Sequence, residues 1–114
     1  MKAPNVRVTP AMVNVMVSLS GGERHGYSIM TDVEGFTGGA TTLGPGTLYG
    51  AIKRMLGAGL IEESAWRPDP ELDDDRRRYY RLTGLGRRVL DDRLTEMQQT
   101  VDVARRRTIP EVAT

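Results

Sequence analysis

The clearest helix in the chain is predicted by residues 44–57, whose sequence is GPGTLYGAIKRMLG. Gly44 can act as the cap, and Pro45 suits the first helical position because its missing N–H would have no partner there. Apolar residues then recur at the i, i+3, i+4, i+7, i+8 spacing of one buried face, at Leu48, Ala51, Ile52, Met55 and Leu56. The opposite face is polar and carries Thr47, Tyr49, Gly50, Lys53 and Arg54.

Two further helices are predicted on the N-terminal side of this stretch. Thr9 and Pro10 form a cap and a first helical residue, and Gly21-Gly22 ends the segment that follows. A second helix is expected from about residue 25 to residue 36, where several glycines follow. Residues 41–43, with two threonines and a leucine, are interpreted as a very short strand.

A hairpin and a long helix are predicted on the C-terminal side. Residues 60–65 and 77–82 are expected to be paired strands, because the polar, proline-containing stretch between them suits an exposed loop. Thr83 is expected to cap a last helix that reaches about Arg107, a length of roughly 36 Å at 1.5 Å per residue. The order is therefore three short helices, a hairpin and a long helix.

This order predicts a mainly α, α+β fold, a winged helix-turn-helix with a two-stranded wing and a long C-terminal dimerisation helix. The expected divisions are a DNA-binding domain over residues 1–82, the dimerisation helix over 83–108 and a flexible tail over 109–114. Leu90, Leu94, Met97 and Val101 follow a heptad spacing and are the predicted dimer seam. The seam is only about two heptads long, so these residues could instead pack on the first helix of their own chain.

Composition narrows the class of protein. The chain has 114 residues, 39% of them hydrophobic and 27% charged, which suits one ordinary globular domain. It has no apolar run near the roughly 18 residues that span a bilayer, and residues 1–9 lack the order of a signal peptide. With no cysteine, disulfides, zinc knuckles and thiol nucleophiles are excluded. We therefore expect a cytoplasmic protein that does not bind membranes.

The distribution of charge is more informative than its sum, because the formal net charge is only +1. Basic residues cluster at Lys53-Arg54, within residues 76–81 and at residues 105–107, while acidic residues collect over residues 69–75. A nucleic-acid-binding role therefore depends on where the fold places these clusters.

Four short blocks, in this order and at this spacing, resemble the PadR family. They are His25-Gly26-Tyr27, Gly44-Pro45-Gly46-Thr47-Leu48-Tyr49, Gly59-Leu60-Ile61, and Arg78-Tyr79-Tyr80-Arg81-Leu82-Thr83 with Gly86-Arg87. Each block is weak alone, but together they cover about residues 9–95. The resemblance implies a winged-helix repressor of the short form with a single C-terminal helix, which dimerises through that helix and binds a pseudo-palindromic operator.

The helix that starts at Pro45 is the candidate for insertion into the major groove of double-stranded DNA. Gly46 allows close approach of the backbone, and Thr47 and Tyr49 can donate hydrogen bonds to phosphates or bases. Lys53 and Arg54, one turn further on, are expected to reach backbone oxygens or guanine. The alternative is that these two cations belong to an ordinary solvated helix face.

Two more groups complete the predicted DNA contacts. Tyr27 is expected to hydrogen-bond a phosphate while its ring packs on the third helix; the alternative is a half-buried tyrosine with a hydrated hydroxyl. Arg76, Arg77 and Arg78 at the base of the wing are expected to position the protein by contacting phosphates. The neighbouring residues Asp73-Asp74-Asp75 could instead neutralise these arginines in a solvated loop.

The predicted function is sequence-specific transcriptional repression by a homodimer. A small-molecule effector, bound between the dimer helices and the DNA-binding domains, is a second hypothesis. A winged-helix protein-interaction module that does not bind DNA is the alternative from another class. An enzyme is not expected, because the sequence has no Gly-rich phosphate loop, no metal-ligand cluster and no nucleophile–base pair. We therefore predict no catalytic residues, no metal ligands and no cofactor.

Overall fold

Over residues 7–65 and 77–112, the part of the chain that the computed structural model describes, four helices and three short strands follow one another. The side chains of residues 108–112 are outside this description. The helices are α1 (Pro10–Ser20), α2 (Gly26–Phe36), α3 (Pro45–Gly57) and α4 (Gly84–Val112), and the strands are β1 (Arg24–His25), β2 (Ile61–Ser64) and β3 (Tyr79–Leu82). The predicted winged helix-turn-helix with a long last helix is confirmed.

Side-chain caps explain where the first two helices begin. The hydroxyl Oγ1 of Thr9 accepts a hydrogen bond from the backbone N–H of Met12 at 3.2 Å, as the Thr9-Pro10 pair predicted. At α2, Nδ1 of His25 accepts from the N–H of Ser28, and Oγ of Ser28 accepts from the N–H of His25. This reciprocal arrangement is a capping box, so the one histidine of the sequence fixes the start of α2.

Helix α1 lies at the centre of the core and contacts α2, α3, α4 and β3. The predicted apolar stripe of α3 faces this core, with Leu48, Ala51, Ile52 and Met55 all buried. Leu56 was predicted to be buried with them, but 38% of it is exposed. At about 100° per residue, Leu56 lies at the edge of the stripe, in the last turn of α3, so it is less covered than the residues at the centre of the stripe.

The sheet has one strand more than the predicted hairpin. β3 is central and antiparallel to both neighbours, in the order β1-β3-β2. Strand β1 has only two residues, which is too short to produce an alternating pattern in the sequence. Residues 41–43 were interpreted as a strand, but they pair with nothing in the described sheet. The wing is therefore attached directly to the segment that joins α1 to α2.

The start of α4 is held against the turn that follows α3. The hydroxyl of Thr83 accepts from the N–H of Gly86 at 3.0 Å, as a helix cap, and donates to the carbonyl of Gly59 at 2.6 Å. The N–H of Thr83 donates to the carbonyl of Leu60 at 3.1 Å. A Cβ atom at Gly86 would collide with that same Leu60 carbonyl, so only glycine allows this close approach. These contacts fix the direction of α4 relative to the end of α3.

Beyond its first turns, α4 extends away from the core. Val89 and Leu90 are buried, and a guanidinium nitrogen of Arg93 donates to the carbonyl of Val8 at 3.0 Å. The helix continues to Val112, past the expected end near Arg107. Its 29 residues give a length of about 44 Å. The radius of gyration is 16.2 Å, whereas about 13 Å is usual for a compact chain of this length, as the projecting helix requires.

None of the helices in the described residues has the length and apolarity needed to cross a membrane. In the same part of the chain, no three histidine, aspartate or glutamate side chains are placed to hold one metal ion together.

Candidate nucleic-acid interface

Most of the outer face of α3 is open to solvent. Because the apolar stripe of α3 is buried, the opposite side of the helix faces outward, and Gly46, Thr47, Lys53 and Arg54 are all exposed. The guanidinium of Arg54 lies back over Gly50, 3.7 Å from the position that a Cβ atom there would take. The cationic side of α3 is thus free to meet a partner as large as a duplex.

Next to this face, a cavity of about 480 Å³ lies between the start of α2, the side of α3 and the start of β3. It is lined by His25, Gly26, Tyr27, Tyr49, Arg77, Arg78 and Tyr80. Four of the predicted DNA-contacting residues, Tyr27, Tyr49, Arg77 and Arg78, therefore come together here. Phenol and guanidinium groups both donate hydrogen bonds, so this lining suits an anion such as a phosphate.

The other predicted DNA-contacting residues are not part of this cavity. Gly46, Thr47, Lys53 and Arg54 lie along α3 outside its lining. Arg76 lies outside the described residues, as do Asp73-Asp74-Asp75 and the rest of the acidic stretch between the strands. The candidate interface consequently has two parts, the outer face of α3 and the tyrosine–arginine cavity beside it.

Tyr49 makes a close contact between α3 and α2. Tyr27 is 68% exposed, so its side chain is more open to solvent than either interpretation from the sequence expected. The ring of Tyr49 lies against Gly26, and a Cβ atom built on Gly26 would be only 2.8 Å from Cζ of that ring. Gly26 thus provides the space that holds the Tyr49 hydroxyl at the cavity.

We expect Gly26→Ala to destabilise the fold and displace Tyr49, whereas Gly35→Ala in the same helix should stabilise it. The added methyl at position 26 meets the Tyr49 ring, while position 35 is open. Overpacking costs about 1–3 kcal/mol, and replacing an exposed helical glycine with alanine gains about 0.5–1 kcal/mol. Thermal melting should therefore shift in opposite directions. Two equal shifts, or no recovery in the Gly26→Ala, Tyr49→Ala double variant, would contradict this packing.

The phenol of Tyr80 forms the buried wall of the cavity. Burial raises the pKa of Tyr80, the nearby Glu63 carboxylate and Tyr49 raise it further, and Arg78 acts in the opposite direction. Since the pKa is raised from an already high value, the hydroxyl stays protonated at neutral pH. Tyr80 is therefore available as a neutral hydrogen-bond donor toward an anion.

Ion pairs neutralise much of the positive charge on the wing. Arg78 pairs with Glu63 at 3.0 Å, and Arg81 lies 3.5 Å from both Glu23 and Glu62. Glu23 also accepts a hydrogen bond from the hydroxyl of Ser64 at 2.8 Å. The alternative drawn from the sequence was neutralisation of Arg76, Arg77 and Arg78 by aspartates of the loop, which lie outside the described residues. Within the described residues, glutamates of β2 and of the segment before β1 pair with Arg78 and Arg81.

The predicted dimer seam divides into a buried part and an exposed part. Leu90 is 6% exposed and belongs to the core of its own chain, as the alternative interpretation held. Leu94, Met97 and Val101 are 41%, 48% and 42% exposed. These three side chains form a continuous apolar stripe on the projecting part of α4.

Several residues of the site were not identified from the sequence. Gly26 was quoted only as part of a motif, although a glycine at the start of a helix is a signal for close approach of another group. Tyr80 was not assigned to the site, because its place in the cavity depends on how β3 packs beside α2 and α3. Glu63 was missed since its pairing with Arg78 depends on the strand register.

The sequence of this chain is similar to a known family and to one curated protein. The model of the Transcriptional regulator PadR-like family matches residues 15–92. An uncharacterized 37.1 kDa protein in a transposon of Streptomyces fradiae is 34% identical over 86 residues, which are 75% of this chain. This chain spans only 22% of the length of that relative.

The fold is also similar to solved structures. A PadR family transcription regulator from hypervirulent Clostridium difficile has a TM-score of 0.69 and 26% identity, over 86% of this chain and 97% of that one. Bacillus subtilis PadR, solved in complex with operator DNA, has a TM-score of 0.63 and 22% identity, over 77% of this chain and 48% of that one.

Proposed function

Because the chain belongs to the PadR-like family of transcriptional regulators, which are DNA-binding proteins and not enzymes, we propose that it is a homodimeric repressor of a pseudo-palindromic operator. The exposed cationic face of α3 beside the tyrosine–arginine cavity is the observation that carries this proposal. We propose a cytoplasmic location for this function.

In this proposal, the N-terminal half of α3 enters the major groove. Thr47 and Tyr49 then lie nearest the base edges and phosphates, and Lys53 and Arg54 reach backbone oxygens or guanine one turn further on. Arg77, Arg78 and Tyr27 bind phosphates of the flanking backbone, which positions α3 without reading sequence. The solved complex of Bacillus subtilis PadR with operator DNA supports this use of the fold.

The proposed dimer buries the stripe formed by Leu94, Met97 and Val101 against a second copy. A monomer in water would leave these three apolar side chains exposed next to one another, and their burial favours association. Two copies related by a two-fold axis present two α3 helices, which fit half-sites about 34 Å apart on one side of the duplex. The operator is therefore an inverted repeat, and the bound dimer represses by occupying it.

Relief of repression by a small-molecule effector is the proposed regulation. A cavity of about 300 Å³ between α1 and α4, lined by Pro10, Val13, Asn14, Arg93 and Met97, supports it. A ligand there acts only if it binds one orientation of α4 more tightly than another. The measurement is operator affinity with and without candidate phenolic or cationic compounds, and no change with any of them would remove this part of the proposal.

The paired wing arginines favour a second candidate, a winged-helix module that binds proteins and not DNA. Arg78 and Arg81 both contact glutamates, which weakens attraction to phosphate. The unpaired outer face of α3 is better explained by the first candidate, since no described carboxylate forms an ion pair with Lys53 or Arg54.

Selection from a pool of random duplexes by the intact chain distinguishes the two candidates. We expect enrichment of an inverted repeat, and an affinity for it that falls by about a thousandfold between 50 and 200 mM salt, as six or more phosphate contacts require. Binding of a scrambled duplex provides the control. A pool that stays random after repeated rounds, with no salt-dependent binding, would support the protein-interaction module instead.

A further inference from the structure

Arg78 of the tyrosine–arginine cavity is bound to a carboxylate of the same chain. Nη1 of Arg78 lies 3.0 Å from Oε1 of Glu63, with hydrogen-bond geometry. Glu63 is held there by the sheet, because it is the register partner of Tyr80, whose phenol lines the cavity. The pair therefore stands at the edge of the site proposed to receive a phosphate.

A phosphate and the Glu63 carboxylate would compete for the same guanidinium. Both offer negative oxygens to a planar set of donors, so Arg78 cannot bind a phosphate fully while it stays bound to Glu63. The Arg78 and Glu63 side chains are 68% and 51% exposed, so the pair is weak and can be exchanged. Breaking the Arg78–Glu63 pair nevertheless reduces the net free energy that the phosphate contact contributes to DNA binding.

We propose that Glu63 is an internal competitor for Arg78 that weakens the sequence-independent part of DNA binding; this inference rests on the proposed function. Contacts to phosphate bind every duplex, so a competitor at this position reduces occupancy of arbitrary DNA. The base-reading face of α3 is untouched, because Glu63 lies on β2 beside the cavity. Glu63 thus limits how strongly the wing binds the phosphate backbone of DNA.

The neighbouring residue Glu62 provides a matched control. It lies on the same strand, carries the same charge and also pairs with an arginine, Arg81, at 3.5 Å. Arg81 does not line the cavity, and Glu23 contacts it as well, so Arg81 keeps a carboxylate partner when Glu62 is neutralised. Changes at positions 62 and 63 therefore alter the net charge equally but affect different arginines.

The experiment measures the affinity of the intact chain for one labelled duplex of fixed arbitrary sequence, over a series of salt concentrations. We expect Glu63→Gln to bind about threefold more tightly per protomer, and about tenfold for a dimer, which is typical of the loss of one exposed ion pair. Glu62→Gln should change dimer affinity by less than about threefold. In the Arg78→Ala background, Glu63→Gln should give the same small increase as Glu62→Gln.

Two results would overturn the competition while leaving the proposed function intact. One is an equal gain from Glu62→Gln and Glu63→Gln, which would reflect net charge alone. The other is a full gain from Glu63→Gln in the Arg78→Ala background. Absence of salt-dependent binding by the wild-type chain would overturn the proposed function, and this inference with it. Both glutamates are on the surface, so thermal melting of the variants should match the wild type and verify folding.

Discussion

Replacing Lys53 and Arg54 together with alanine should lower affinity for the selected operator by at least about a hundredfold, because a dimer loses four charge-assisted contacts. Both side chains are exposed on α3, and alanine is the best helix former, so the fold should be retained. The slope of log affinity against log salt should become less steep, since fewer counterions are released. Mobility shift or fluorescence anisotropy at several salt concentrations provides the measurement.

Arg88→Ala with Arg106→Ala is the control for this double variant. It removes the same charge from exposed arginines on the projecting helix, and at 100° per residue both lie opposite the apolar stripe. We expect its operator affinity to remain within about threefold of the wild type, as for surface charges away from the contact. Equal losses in the two double variants would mean that overall charge, and not the face of α3, accounts for binding.

Met97→Glu should have the second large effect, on assembly. Met97 is 48% exposed and lies in the middle of the proposed interface, so each chain would place a carboxylate between apolar side chains of its partner. An unpaired charge in such a place costs several kcal/mol, which corresponds to dimer dissociation that is at least about a hundredfold easier. Sedimentation velocity or light scattering should show a folded monomer at micromolar concentration.

Gln99→Glu provides the matched change on the other side of α4. It introduces the same carboxylate two residues away, at an exposed position that faces opposite to the apolar stripe. This variant should remain a dimer and keep its operator affinity. Met97→Glu chains that sediment as dimers at the same concentration would show that Leu94, Met97 and Val101 are not the interface.

The helical part of this fold could be predicted because each helix carries its own signals. Thr9-Pro10 and Gly44-Pro45 mark two starts, and the spacing from Leu48 to Met55 determines which face of α3 is buried. From that one face the exposure of Lys53 and Arg54 follows directly. Local capping and periodicity therefore predict the candidate recognition surface without any knowledge of tertiary contacts.

The remaining features depend on contacts between distant parts of the chain. The pairing of β1 with β3, the packing of Tyr49 on Gly26 and the Glu63–Arg78 ion pair each join residues from different elements. None of these contacts has a periodic signature. The heptad spacing of α4 is periodic, but it does not determine what the apolar residues pack against. The same pattern suits packing within a chain and between chains. Leu90 packs within its own chain, and the exposed Met97 can pack against a second chain.

The contacts among Thr83, Gly86 and Leu60 have a mechanical consequence for the proposed dimer. Only two residues separate α3 from Leu60, whose carbonyl receives the N–H of Thr83 and leaves no space for a side chain at Gly86. These contacts join the turn after α3 to the start of α4, so we expect a rotation of one helix to move the other with it. In the proposed dimer, the angle at which the two α4 helices cross therefore determines the distance between the two α3 helices.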